Sequence, residues 1–106
     1  MRGVGRAGID RAMRLTLLFR AYCGLCDEML AQVAPLAAAH GVGLDVVDVD
    51  APEHAALEAR WSEAVPLLFA GHPAPEHELC RHRFDPTAVE AALRAPAGIA
   101  RRAEIR

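Results

Sequence analysis

The chain contains no lysine; all 12 of its basic side chains are arginine. Together with the abundant alanine this reads as coding bias, and no function attaches to it. Charge imbalance is lacking too. Against 14 acidic residues the formal net charge is −2, which removes the electrostatic basis for binding nucleic acid or an anionic membrane. No apolar run approaches the ~20 residues that a membrane span needs. The one early apolar stretch, Leu15 to Phe19 around Thr16, is stopped by Arg20 and matches a secretory leader poorly. These absences predict a cytoplasmic protein with neither a membrane nor a nucleic-acid partner. Only three cysteines are present, Cys23, Cys26 and Cys80, too few for a disulfide scaffold. A close cysteine pair in a cytosolic chain is more often catalytic or metal-binding. No internal repeat is visible.

What is present fits one compact domain. The 106 residues are 53% apolar and 25% charged, a globular balance. Residues 1–13 hold three glycines and three arginines without apolar periodicity, and are expected to form a loose arm. Met13 stands just before the first strand-like run as a candidate start codon. The domain proper is expected over 14–95, with a frayed tail over 96–106. Residues 14–20 read as a buried strand. From Cys23 to His40 the pattern is helical: Cys26, Met29, Leu30, Val33 and Ala37 share one face. Pro35 inside this run predicts a kink or a split. Gly41 and Gly43 end it.

Leu44 to Val49 reads as a second strand, and Asp50 as the cap of a short helix over 52–60. After a loop that includes Trp61, a third strand opens at Val65-Pro66. A turn-rich stretch over 71–76 leads to a fourth strand over 77–82, making a hairpin. Asp85-Pro86 begins a last helix to about Arg94. The order β-α-β-α-β-β-α is an α/β layout. The first two strands must run parallel through a crossover helix and the last two antiparallel, giving a four-stranded mixed sheet.

In this layout Cys23 falls where a central strand meets the first helix. Helix N-termini carry unpaired N–H groups and a partial positive charge, which favour a thiolate. Cys26, one turn on, can close a small disulfide ring. The expected chemistry is attack by Cys23 on a substrate disulfide, then resolution by Cys26. Cys-x-x-Cys is also half a zinc site, but a zinc ribbon needs a second such pair and none exists. The alternative is a module that binds a metal or iron–sulfur cluster, through Cys23 with external thiols or through Cys23, Cys26, Cys80 and His82. A redox sensor without disulfide reductase turnover is a third reading.

The run from Leu15 through Phe19-Arg-Ala-Tyr-Cys-Gly-Leu-Cys to Met29 resembles the opening of glutaredoxin-like proteins of the thioredoxin superfamily. Val46 to Asp50, Val65-Pro66-Leu67-Leu68 and Cys80-x-x-Arg83-Phe84-Asp85 fit the same branch, over roughly residues 14–94. The resemblance implies a thioredoxin-like fold of glutaredoxin type with strand order 2-1-3-4. It implies a cis Pro66 facing the dithiol, with the Val65 backbone open to an extended substrate. The implied activity is thiol–disulfide oxidoreduction on protein or small-molecule disulfides by a monomer. No prosthetic group is required, and glutathione stands as an optional co-substrate. The sequence departs from dithiol glutaredoxins in Gly24-Leu25, where they have Pro-Tyr. Arg81, His82, Arg83 and Phe84 replace their Gly-Gly pair, which makes room for glutathione. The Trp-Cys-Gly-Pro-Cys pattern of thioredoxins is absent, with Tyr22 where that tryptophan would be.

Other residues are candidates for the site. Arg20 could stabilise the thiolate or bind a substrate carboxylate. Tyr22 is expected to flank the pair and pack on substrate. Trp61 is expected to lie partly buried over the second helix. Cys80 reads as a small buried hydrophobe. His40, His54, His72 and His77 read as surface residues, and His82 with Arg83 as a solvated strand end.

Overall fold

The computed structural model describes residues 14–94. The expected arm over 1–13, its Met13, and the tail over 96–106 lie outside the described residues. The strands are β1 (Arg14–Phe19), β2 (Gly43–Asp48), β3 (Leu67–Ala70) and β4 (Glu78–Arg81), and the helices α1 (Gly24–Ala39), α2 (Ala55–Trp61) and α3 (Pro86–Arg94). They form the expected mixed sheet in the order β2-β1-β3-β4. β1 runs parallel to β2, with Leu17 opposite Val46, and antiparallel to β3, with Leu18 opposite Leu67. β4 is antiparallel to β3, with Cys80 opposite Leu68. This is the thioredoxin-like arrangement.

The apolar run of β1 follows from its central place, because a strand covered on both faces has no solvent side to alternate with. Leu15 and Leu17 pack with Met29, Val33 and Ala37 of α1 and with Val89 and Leu93 of α3. Leu18 packs on the opposite face with Val49, Ala64, Leu67 and Phe69, against Leu57 and Trp61 of α2. Trp61 is half-buried as expected, its ring edge-on to Phe69 at 5.3 Å between centroids. Thr16 is the one polar residue buried within the sheet among the described residues, and its hydroxyl donates to the Gly71 carbonyl at 2.7 Å.

α1 buries Cys26, Met29, Val33 and Ala37, the face read from its periodicity. It ends as a glycine-terminated helix should. Gly41 takes φ 67°, and the N–H groups of Gly41 and Val42 donate back to the carbonyls of Ala38 and Ala37. Pro35, in contrast to expectation, does not split it; the helix is continuous over 16 residues. Pro35 and Ala31, the residue whose carbonyl the proline leaves without an N–H partner, are both exposed, so water can take up the lost bond.

Asp50 does not cap the second helix. That segment begins as a 3-10 turn over Pro52–His54 with Ala51 before it and no side-chain cap. The Asp50 N–H instead donates to the Asp48 carboxylate at 2.9 Å, and the Asp50 carboxylate turns to Arg20. The last helix starts as read: the Asp85 carboxylate accepts from the Ala88 N–H at 3.2 Å. His54 and His77 are half-buried, not surface residues. Their Nδ1 atoms bond the carbonyls of Asp48 and His72 at 2.9 and 2.8 Å. Both line, with Arg14 and Thr16, the largest cavity described, about 770 Å³. It opens at the start of β1, the end of the sheet away from the cysteine pair.

Candidate active site at the start of the first helix

Cys23 is the N-cap of α1, with extended backbone at φ −122° and ψ 109°. Its carbonyl accepts the first helical bond, from the Asp27 N–H at 3.1 Å. Its sulfur accepts from the Cys26 N–H at 3.2 Å. The Cys23 Sγ thus occupies the place where a serine or aspartate oxygen would sit at a helix start, satisfying one of the orphan donors. Negative charge on that sulfur is favoured by this donor and by the helix dipole. Asp27 in the first turn suits the same dipole but opposes the thiolate.

The two thiols are unequal. Cys23 is half-exposed, whereas Cys26 is 1% exposed and lies under the helix. Burial, assisted by the neighbouring Cys23 sulfur, pushes the Cys26 thiol up to about 11 from an ordinary value near 9. A hydrogen bond with the Arg20 backbone and the Arg20 charge pull the other way. Both cysteines, and Cys80, carry free thiols. Cys80 is buried in the cluster between the sheet and the helices α1 and α3, and burial raises its thiol as well. It is placed as the small hydrophobe expected of it.

The other candidates gather at the same end of the sheet. Because Leu67 pairs with Leu18, the bond before β3 lies at the edge from which the chain leaves β1 toward Cys23. Val65-Pro66 is cis, with Pro66 buried and Val65 half-buried. Tyr22 is fully exposed at 105% and adopts φ 58°, a left-handed turn that swings it clear of the domain just before the helix. Arg20 is committed to two carboxylates, Asp50 at 3.3 Å and Glu58 at 3.9 Å, and its Nε is buried without a hydrogen-bond partner. A groove of about 200 Å³ runs beside α1 between Leu25, Met29 and Gln32 on one side and His82, Arg83 and Phe84 on the other. It is smaller than the cavity at the far end of the sheet, but it lies against the first turns of the dithiol helix. The four-ligand set of Cys23, Cys26, Cys80 and His82 is not assembled. No group of three or more His, Cys, Asp or Glu side chains among the described residues could hold a metal ion.

Sequence reasoning missed the part played by His82. It is exposed, as a solvated strand end would be, but takes φ 67° and bonds the loop that carries Val65 and Pro66. The available signal was its position, since glutaredoxins place their glycine pair in this stretch, and glycine is favoured where φ is positive.

With this geometry, the comparisons with known proteins are specific. A family model described as a glutaredoxin-like domain (DUF836) matches residues 14–94. The chain belongs to the glutaredoxin-like domain family. Two solved structures share about a third of its sequence. Protein Ne2328 from Nitrosomonas europaea is 32% identical over 74% of this chain and 88% of its own, at TM-score 0.58. Target protein XcR50 from X. campestris is 34% identical over 76% of this chain and 96% of its own, at TM-score 0.50. The glutaredoxin-like domain also shares its fold with mitochondrial thioredoxin 3 from Saccharomyces cerevisiae. That protein is 21% identical, with 88% of each chain covered and TM-score 0.59. No functionally curated protein matches the chain. No helix among the described residues is long and apolar enough to cross a membrane.

Proposed function

We propose that this glutaredoxin-like domain is a cytoplasmic thiol–disulfide oxidoreductase with Cys23 as nucleophile and Cys26 as resolving thiol. The observation that carries the reading is the division of labour at the helix start. The half-exposed Cys23 sulfur accepts the Cys26 N–H at 3.2 Å, while the Cys26 thiol stays buried and protonated beneath it. In the first step the Cys23 thiolate forms a bond to one sulfur of a substrate disulfide. The substrate S–S bond breaks, and the departing sulfur leaves as a thiol after taking a proton. In the second step Cys26 loses its proton and attacks the Cys23 sulfur. The other substrate thiol is released and a Cys23–Cys26 disulfide remains, so two electrons have passed to the substrate. A thiol reductant restores the pair by the reverse exchange.

Substrate recognition falls to the surface around Cys23. Val65 makes no turn or cap hydrogen bond among the described residues, leaving its backbone open to pair with an extended peptide. Tyr22 offers an exposed ring at the rim. Arg20 acts through its charge on Cys26, with its guanidinium held by Asp50 and Glu58. The substrates on this reading are protein or small-molecule disulfides, with glutathione an optional co-substrate, no prosthetic group, and a monomer as the working unit.

The test is turnover of a disulfide substrate by the reduced protein with a thiol reductant as electron source. Cys23→Ser is expected to bring the rate down to the uncatalysed background. A Cys23→Ser protein that keeps full activity would exclude Cys23 as the nucleophile.

A further inference from the structure

His82 stands on the solvent side of the candidate site, yet it is more constrained than an exposed residue needs to be. Its backbone lies in the left-handed region at φ 67°, where a residue with a Cβ is uncommon. Two hydrogen bonds accompany that conformation. The His82 N–H donates to the Pro66 carbonyl at 2.7 Å. Its imidazole Nε2 donates to the Glu63 carbonyl at 2.9 Å. The two acceptors lie on either side of Val65. One residue after β4 therefore grips the loop before β3 on both sides of Val65, at the edge of the sheet from which β1 leads to Cys23. Glycine in this place would relieve the backbone but could make only the first bond.

We propose that His82 is a positioning residue for substrate docking: it holds the Val65 backbone at a fixed height beside Cys23, so that an extended polypeptide carrying a disulfide can pair there. The inference rests on the oxidoreductase reading and deepens it by naming the residue that positions the docking backbone. Without the Glu63 bond the loop is held on one side only, and each docking event must restrict it afresh. That cost falls on binding, because the Cys23 sulfur is set by the start of α1 and not by this loop. Gln can replace the imidazole, since its terminal NH2 reaches about as far from Cα as Nε2 does and also donates.

The experiment uses the full chain, pre-reduced, with a synthetic peptide containing one disulfide as substrate and dithiothreitol as reductant. For His82→Gly, KM for the peptide is expected to rise roughly fivefold, the value of one ordinary hydrogen bond, with kcat held. His82→Gln is expected to restore KM to near the wild-type value. Thermal unfolding of both variants controls for folding, and a Gly variant that melts like the wild type with raised KM separates docking from stability. A fall in kcat at constant KM, or an unchanged KM in the Gly variant, would overturn the role of His82 and leave the dithiol reading standing. A raised KM that Gln fails to restore would also overturn it. A wild-type protein that reduces a small-molecule disulfide but not the peptide would overturn this inference and leave the dithiol reading standing, whereas one that reduces neither would remove both.

Discussion

Cys23 and Cys26 lie three positions apart, yet the helix start divides them between solvent and core. The consequence is a pair of thiols in unequal surroundings. Cys26 is pushed up to about 11 by burial first and by the Cys23 sulfur second. A thiol whose folded value is raised holds its proton where the unfolded chain has already lost it. Its stabilising contribution is therefore complete below pH 9 and declines as pH rises from about 9 to about 11. Urea unfolding midpoints of the reduced protein are expected to fall across this window. In a Cys26→Ala variant the fall is expected to be shallower. Identical pH profiles for the two proteins would mean that burial does not restrain this thiol. On the proposed mechanism, the second chemical step must wait for the raised Cys26 thiol to lose its proton from the core.

At the scale of elements, much was legible because period and punctuation agreed. The buried face of α1, its stop at Gly41, the Asp85 cap of α3 and the Val65-Pro66 opening of β3 all follow from local rules that the tertiary structure does not override. Three features were not legible, each for a physical reason. Asp50 follows Asp48, and a local turn bond together with the Arg20 charge engages the residue that would have capped the helix. His82 carries a conformation that sequence ordinarily marks with glycine, so it read as a solvated strand end. Pro35 reads as a break only if its lost bond is buried, and exposure, unlike identity, is not written in the sequence. Pro35→Ala tests this last point. Proline is about 3 kcal/mol less favourable than alanine in a helix interior, and a helix that already accommodates it should recover part of this, on the order of 1 kcal/mol. A rise in melting temperature is the expected outcome, whereas a drop would show that Pro35 is required by the fold.

For the whole molecule, the sheet is what brings the chemistry together. Residues from the end of β1, the start of β3 and the loop after β4 are far apart in sequence. The order β2-β1-β3-β4 delivers all three to one edge. The cavity of about 770 Å³ is not the candidate site: it lies at the opposite end, among Arg14, His54 and His77, where no cysteine lines it. Cys80, the third thiol, is held inside the core on β4 and raised by burial. The account therefore predicts one reactive cysteine in a chain that has three. The most direct measurement is to incubate reduced Cys26→Ser protein with a disulfide-containing peptide and map the adduct by mass spectrometry. A peptide linked through a disulfide to Cys23, with Cys80 unmodified, is the expected result. A link at Cys80, or no adduct on Cys23, would contradict it.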